Sequence, residues 1–336
     1  MAILIRPRRC VRRVDGGARA NAHHPISVSV WVLAGLAAAL TLLGFGDRLG
    51  LGGRTGWALD LLAHWPKHLF LLAMIAAGLA GWRGMIGAAC VAAAAAAINL
   101  ALVLGVGGFA LPQQGPPEAR LLRVASANVH GSAMALDRLV HEANAYGADV
   151  VAIYEVPDSL TLEGLASLFP DHLERSLPDA GLDGLKLIRR SALAARSATG
   201  IGYEAFPGSH GVIIRGEVGG VQLVTTHPPS PGNPDLKADR DRQLARIAER
   251  LDVSRPFIVA GDFNVTPWGR AYGASPGLRA GDPRFAGTFP AFAGWLGLPI
   301  DHIRFGGELL LVDHRVGPDI GSDHQPLFAT FALPGG

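Results

Sequence analysis

Phe257-Ile-Val-Ala-Gly-Asp262-Phe-Asn264 is an apolar run that stops abruptly on a carboxylate and an amide. Such a run predicts a buried strand, and the turn chemistry of Gly-Asp-x-Asn places acid and amide together at its end. Two later β-type runs also set an acid beside an imidazole, in Ile300-Asp301-His302-Ile303 and Gly321-Ser322-Asp323-His324. These groups supply oxygen ligands for a hard cation and a general acid or base. Taken alone, Gly-Asp-x-Asn reads equally well as an Asx turn closing a strand.

Outward from that stretch the period-2 pattern predicts strands at 121–129, 149–155, 257–260, 301–305, 308–316 and 326–333, with weaker β signals at 184–189, 211–218 and 221–226. Helices are predicted at 133–146 and 235–251. Many strands and few helices predict an α/β domain, a two-sheet β-sandwich flanked by helices. Residues 118–336 hold twenty basic and twenty-five acidic residues, a net charge of −5, as expected of an ordinary globular domain. They contain no cysteine, which excludes a disulfide framework and a thiolate metal site there.

The N-terminal third is built differently. Residues 1–117 carry ten basic and three acidic residues amid Ala, Leu and Gly. The stretches 26–46 and 84–111 hold no charged residue and are long enough to cross the roughly 30 Å hydrocarbon core of a bilayer. Between them 68–82 is apolar but short, preceded by Asp60, His64, Pro66 and Lys67. It either spans, with Trp65 and Lys67 as interfacial anchors, or is re-entrant. A signal peptide is disfavoured because two more apolar segments follow the first. Arg6, Arg8, Arg9, Arg12, Arg13 and Arg19 precede the first span and Arg83 sits between the last two, so the N-terminus is expected in the cytoplasm. Three spans then place the remainder outside it, and two spans would reverse that. The expected plan is a basic cytoplasmic arm at 1–25, a bundle of transmembrane helices at 26–111, a stiff linker at 112–117 and a catalytic domain at 118–336. The expected location is a multi-pass protein of a bacterial-type inner membrane, with its catalytic domain extracytoplasmic.

Six short motifs run in order through the C-terminal part: Ser126-Ala-Asn128, Tyr154-Glu155, Thr226-His227-Pro, Gly261-Asp262-Phe-Asn264, Asp301-His302 and Ser322-Asp323-His324. In that order they resemble the endonuclease/exonuclease/phosphatase superfamily, the fold of DNase I-like nucleases, sphingomyelinases and inositol-phosphate phosphatases. The resemblance implies metal-dependent phosphoester hydrolysis. It marks Glu155 as the principal metal ligand, suited to Mg²⁺ with Mn²⁺ as the alternative, and Asp323 as part of the metal shell. Asp262 would orient or deprotonate the attacking water, and Asn264 would donate to a phosphoryl oxygen. His324, held by Asp301, would face the phosphate as an imidazolium or a general base, and His227 would be the acid for the leaving group. Asn128 would bond phosphate or Glu155. His130 stands where some nucleases carry an acid, and Tyr154 departs from the Gln or Asn often found before the metal-binding Glu. His302 and His314 receive no catalytic role.

Other motifs fail. His141-Glu142 lacks the second histidine of a zincin. Pro207 occupies the first glycine position of a nucleophile elbow at 207–211. His64 and His68 flank Pro66, lack a third ligand, and read as membrane-interface residues.

The net-acidic domain speaks against a nucleic-acid partner, whose phosphates select basic surfaces. Its one basic cluster, Arg240, Arg242, Arg246 and Arg250, alternates with acids and reads as a solvated helix face. Spans, Pro-rich link and Thr-His-Pro plus Gly-Asp-Phe-Asn together resemble the VanJ-like bacterial membrane phosphatases. That implies a lipid phosphate or pyrophosphate substrate such as undecaprenyl pyrophosphate, met among membrane lipids. The other readings are a membrane-anchored nuclease or phosphodiesterase, including sphingomyelinase-like activity, and a non-catalytic receptor keeping the fold. The sequence sets no oligomeric state.

Overall fold

The computed structural model describes residues 24–178, 191–205 and 212–334. The basic arm, the β signal at 184–189 and the 207–211 turn lie outside them.

Four helices come first: α1 (His24–Phe45), α2 (Gly53–Ala63), α3 (Pro66–Trp82) and α4 (Ile86–Leu104). By length and composition α1 and α4 can each cross a bilayer, and the pair α2–α3, bent by 70° at its break, supplies a third crossing if counted as one. The bend falls where Pro66 lacks the N–H that would continue the helix from α2. α1, α3 and α4 pack with small residues inward: Ala34, Ala37, Ala73, Ala76, Ala80, Ala88 and Ala92 are fully buried. Large apolar residues such as Val32, Leu42, Ile75 and Ile86 point outward. A soluble core reverses this arrangement, and helices packed within lipid favour it. Asn99 of α4 donates to Thr41 of α1 at 2.6 Å, tying two helices across the alanine seam.

The uncharged stretch 84–111 is not all helix. Gly105, Gly107 and Gly108 break it, Gly108 at φ 69°, and Phe109–Ala110 forms β1, which pairs in parallel with a strand of the following domain. The Pro-rich link also lies against that domain, where the Gln113 N–H donates to the Leu311 carbonyl at 2.8 Å.

The rest is two sheets between helices. The strands are β2 (Leu121–Asn128), β3 (Val150–Tyr154), β4 (Glu174–Ser176), β5 (Ser191–Ala195), β6 (Thr199–Ala205), β7 (Val212–Val218), β8 (Val221–Thr226), β9 (Phe257–Asp262), β10 (Leu278–Ala280), β11 (Asp301–Gly306), β12 (Leu310–Val316) and β13 (Leu327–Ala332). One sheet runs β1-β10-β11-β9-β8-β7-β6, the other β12-β13-β2-β3-β5-β4. Alternate strand residues point between the sheets, where Val124, Tyr154, Leu193, Ile214, Ile258, Ile303 and Phe331 form the central core. On the outer face of the second sheet lie α5 (Ala133–Tyr146) and α6 (Leu162–Leu168), packing Leu139 and Leu165 against Ile153 and Phe328. On the other sheet α7 (Pro234–Glu249) packs Leu244 and Ile247 against Val259 and Phe263. The expected two-sheet, helix-flanked class is the one found. The strands β4, β5, β6 and β10 and the helices α2 and α6 are additions to it.

The helices meet the domain at one end of their bundle. Asp47, just past α1, accepts from the Arg270 N–H at 2.8 Å. Lys67, at the start of α3, donates to the carbonyls of Trp295 at 2.6 Å and Gly297 at 2.9 Å. Trp268 donates to the Leu102 carbonyl near the end of α4 at 3.2 Å. α2 lies along α7, and here the sequence reading is corrected. Arg240 is no part of a solvated face: it is fully buried and grips Asp60 of α2 with two hydrogen bonds, at 2.7 and 3.0 Å. The reason is tertiary, since the acid that neutralises it lies 180 residues away.

Candidate active site

The central strands of both sheets end on the same side. β2 and β3 run parallel with Asn128 opposite Tyr154, so Glu155 emerges just beyond Asn128. β8 and β9 are likewise parallel with Thr226 opposite Gly261, which puts His227 beside Asp262. Only glycine fits at 261, because a Cβ there would lie 2.2 Å from the Thr226 carbonyl oxygen. β11 returns antiparallel with Asp301 directly opposite Asp262. His324 enters from the loop before β13, positioned by Ser322, whose Oγ accepts from the His324 N–H at 3.2 Å and donates to the Asn128 carbonyl at 2.8 Å.

Six side chains converge. The Asn128 amide donates to Glu155 at 2.8 Å and to Asp262 at 3.1 Å. His227 Nε2 lies 3.5 Å from Asp262 and 3.7 Å from Glu155, too far for a good hydrogen bond to either. It is buried and unsatisfied. His324 bridges the two opposed aspartates, with Nδ1 2.9 Å from Asp301 and Nε2 3.7 Å from Asp262. Two carboxylates directly across a strand pair repel, and the imidazole between them offsets that.

The electrostatics follow from this packing. Burial acts to raise Asp262, but His324, His227 and Asn128 together hold it well below the usual carboxylate range. Asp301 is pushed up, chiefly by burial and by its Asp262 neighbour. Burial opposes charge on His324 as well, yet Asp301 and Asp262 raise it to about 10, so it is an imidazolium at neutral pH.

Three non-glycine residues have positive φ among the described residues: His130 at 48°, Glu155 at 51° and Asn264 at 51°. All three are at this site, where backbone strain is commonly held by the surrounding structure. Asp262 uses its two oxygens separately. Oδ1 accepts from the Asn264 N–H at 3.0 Å and closes an Asx turn, while Oδ2 faces His227, His324 and Asn128. The turn and the site are therefore the same structure.

Asn264 and Asp323 stand apart from this core. The Asn264 amide donates to the Pro228 carbonyl at 3.1 Å. Asp323 reaches the cluster through His130, whose Nδ1 lies 3.5 Å from Asp323 and 3.6 Å from Glu155. His302 is fully buried, accepting from Arg279 at 3.0 Å and lying 2.9 Å from the Val265 carbonyl. His64, read from sequence as a membrane-interface residue, pairs with Thr266 at 2.9 Å. Sequence reasoning missed the backing of this loop by α2. The signal was there in Asp60, an acid inside an apolar segment, which calls for a buried partner.

Glu155, His227 and Asp262 form one group able to hold a metal ion, and Asp262, Asp301 and His324 a second. The donors suit a divalent cation: carboxylates outnumber the cations present, and His227 Nε2 lacks a partner. Acids and imidazoles gathered at strand ends, over a two-sheet core, form a site suited to hydrolysis at a bound cation. The Endonuclease/Exonuclease/phosphatase family matches residues 125–324, and the chain belongs to that family. Its members are phosphoesterases, typically dependent on a divalent metal.

Solved structures share the fold at low identity. An endonuclease/exonuclease/phosphatase family protein from Bacteroides thetaiotaomicron aligns over 65% of this chain and 99% of its own, at 18% identity and TM-score 0.52. One from Bacteroides vulgatus covers 64% and 100% at 18% identity and TM-score 0.51. Another, from Beutenbergia cavernae, covers 64% and 72% at 20% identity and TM-score 0.50. No curated protein matches the sequence.

Proposed function

We propose that this chain is a membrane-embedded, divalent-metal-dependent hydrolase of a lipid phosphate or pyrophosphate, akin to the VanJ-like membrane phosphatases. One observation carries the reading: a bundle of inside-out helices is fastened by Asp47, Lys67 and Leu102 to loops that border the strand-end cluster. A soluble substrate gives no reason to build a phosphoesterase site onto such a bundle, whereas a substrate held in the bilayer does. The catalytic domain sits where α1 and α4 end and α3 begins, which suits three crossings and a domain across the membrane from the N-terminus.

Glu155 would hold the Mg²⁺, or Mn²⁺ in its place, with Asp323 beyond His130 in the outer part of the metal shell. Bound there, the ion would neutralise phosphoryl oxygens and acidify a water. Asp262, kept ionised, orients the attacking water as an acceptor. Asp301 holds His324 in place as a cationic clamp on the phosphate, a role its raised affinity for protons favours over that of a base. Asn128 positions Glu155 and Asp262, His227 faces the leaving oxygen as its acid, and Asn264 turns from Pro228 to a phosphoryl oxygen when substrate binds.

Full-length protein in nanodiscs with Mg²⁺ is expected to release inorganic phosphate from a prenyl pyrophosphate and to leave plasmid DNA intact. Chelation with EDTA abolishes the release. DNA nicking without phosphate release would overturn the lipid assignment in favour of a nuclease, and no hydrolysis of any ester would favour a receptor.

A further inference from the structure

The loop that carries the site toward the helices has an exposed apolar face. Its short turn at Ala291–Leu296 contains no buried residue. Phe292 is 92% exposed and Trp295 55%, in a domain whose other aromatics lie mostly in the core. On one side the loop is part of the site. Phe289 packs its ring on His324 at 4.8 Å, and the Ala291 N–H donates to the Asp323 carbonyl at 2.7 Å. On the other side it is fastened to the bundle, since both Lys67 hydrogen bonds go to Trp295 and Gly297.

Lys67 fixes the height of this loop. It is the second residue of α3, and from Leu71 onward that helix turns Met74, Ile75 and Leu79 outward. An exposed Trp65 at the start of an apolar helix marks the headgroup level of a bilayer. The turn bearing Phe292 and Trp295 is therefore held at that level.

We propose that residues 291–296 form an interfacial wedge, with Phe292 and Trp295 seated at the headgroup and acyl boundary, so that the His324 and Asp323 edge of the site opens onto the lipid surface. Amphipathic aromatics favour that depth. The occupant is lipid because the turn is fastened at Trp295 and Gly297 to the start of α3, whose outward face is apolar. The wedge explains how a phosphate that stays in the membrane reaches carboxylates at the end of a sheet. It rests on reading the helices as membrane-spanning.

The test uses full-length protein with Cys10 and Cys90 replaced by Ala, one copy per nanodisc. A fluorophore is placed at F292C, W295C, W65C or L173C, with lipids spin-labelled near the headgroup as quencher. Leu173 is 73% exposed beside the edge strand β4, away from the bundle. Labels at 292 and 295 are expected to be quenched as strongly as that at 65, about fivefold more than at 173. Quenching at 65 but not at 292 or 295 overturns the wedge and leaves the membrane reading standing. Loss of quenching at 65 as well overturns both. A 292 label that responds only when discs hold two copies assigns the patch to a second chain and also overturns the proposal. Independently, F292S with W295S is expected to lower hydrolysis of a vesicle-held prenyl pyrophosphate about fivefold relative to a water-soluble short-chain prenyl pyrophosphate. An equal loss on both substrates would mark the turn as structural only.

Discussion

Two buried clusters of charge adjoin in this molecule, joined at Asn264, and they follow opposite rules. In the seam between α2 and α7, Asp60 and Asp241 are matched by Arg240 and Lys237, every pair within 3.0 Å. Arg240 then donates to the Asn264 carbonyl at 3.1 Å, bracing the strained residue two positions after Asp262. At the strand ends, Glu155, Asp262 and Asp301 face two imidazoles at mostly longer distances, and His227 Nε2 is left unsatisfied. Balanced, close-paired charge holds a fold together. Acid left in excess over cation fits a cluster meant to be completed by a cation and a phosphate.

The comparison is broken most directly at Glu155. Glu155→Gln keeps the shape and removes one charge from the crowded side. Metal-dependent phosphate release is expected to fall about a thousandfold, the scale of losing one key electrostatic group. The thermal midpoint should hold or rise, because carboxylate repulsion is relieved. Phosphate release against Mg²⁺ concentration, paired with thermal unfolding, checks both halves. An active or strongly destabilised variant would put Glu155 with the structural charges.

The seam should behave in reverse. Asp60→Asn leaves the fully buried Arg240 with its inter-element partner gone, and breaking such a pair costs about 3–5 kcal/mol. Replacing both partners, Asp60→Leu with Arg240→Met, is expected to recover most of that loss, since well-packed apolar residues substitute adequately for a buried pair. Unfolding of the full chain in detergent measures each variant. A single substitution costing less than about 1 kcal/mol, the range of exposed pairs, would show that the seam contributes little.

This contrast also explains what was legible in the sequence. Strand-end motifs could be read because each is local: an apolar run, a turn residue, then an acid or imidazole. Asp262 with Asn264 and Asp323 with His324 fall within three residues of each other. The two-sheet class followed from the same periodicity. The seam was not legible. Arg240 sits among Asp239, Asp241 and Arg242, and its neighbours alone describe a solvated helix. Only the docking of α2 supplies Asp60. The glycines after Leu104 were visible, but an uncharged run conceals the point at which a helix gives way to the two-residue strand at Phe109–Ala110. His130 was noted as a departure from nuclease members, and its position between Glu155 and Asp323 depends on a left-handed backbone that spacing cannot predict.

A smaller effect sharpens the comparison by using a half-buried histidine outside both clusters. Burial lowers His314 to about 3, with Arg279 adding to the shift, and its Nε2 makes no hydrogen bond. The unfolded chain takes up this proton near the ordinary value of 6.5, while the folded chain resists until about 3. Between those values the unfolded state binds more protons, so this residue makes stability fall as pH falls, by up to about 1.4 kcal/mol per pH unit. His324 acts the other way. Its raised affinity contributes stability that is fully present below 6.5 and lost as pH rises through about 10. Measuring wild type against His314→Asn from pH 4 to pH 8 separates the two, because His324 is common to both proteins. The variant is expected to be flatter in the acid range and unchanged in slope above about pH 7. Parallel curves would mean that water reaches His314 in the folded state and that its burial does not oppose protonation.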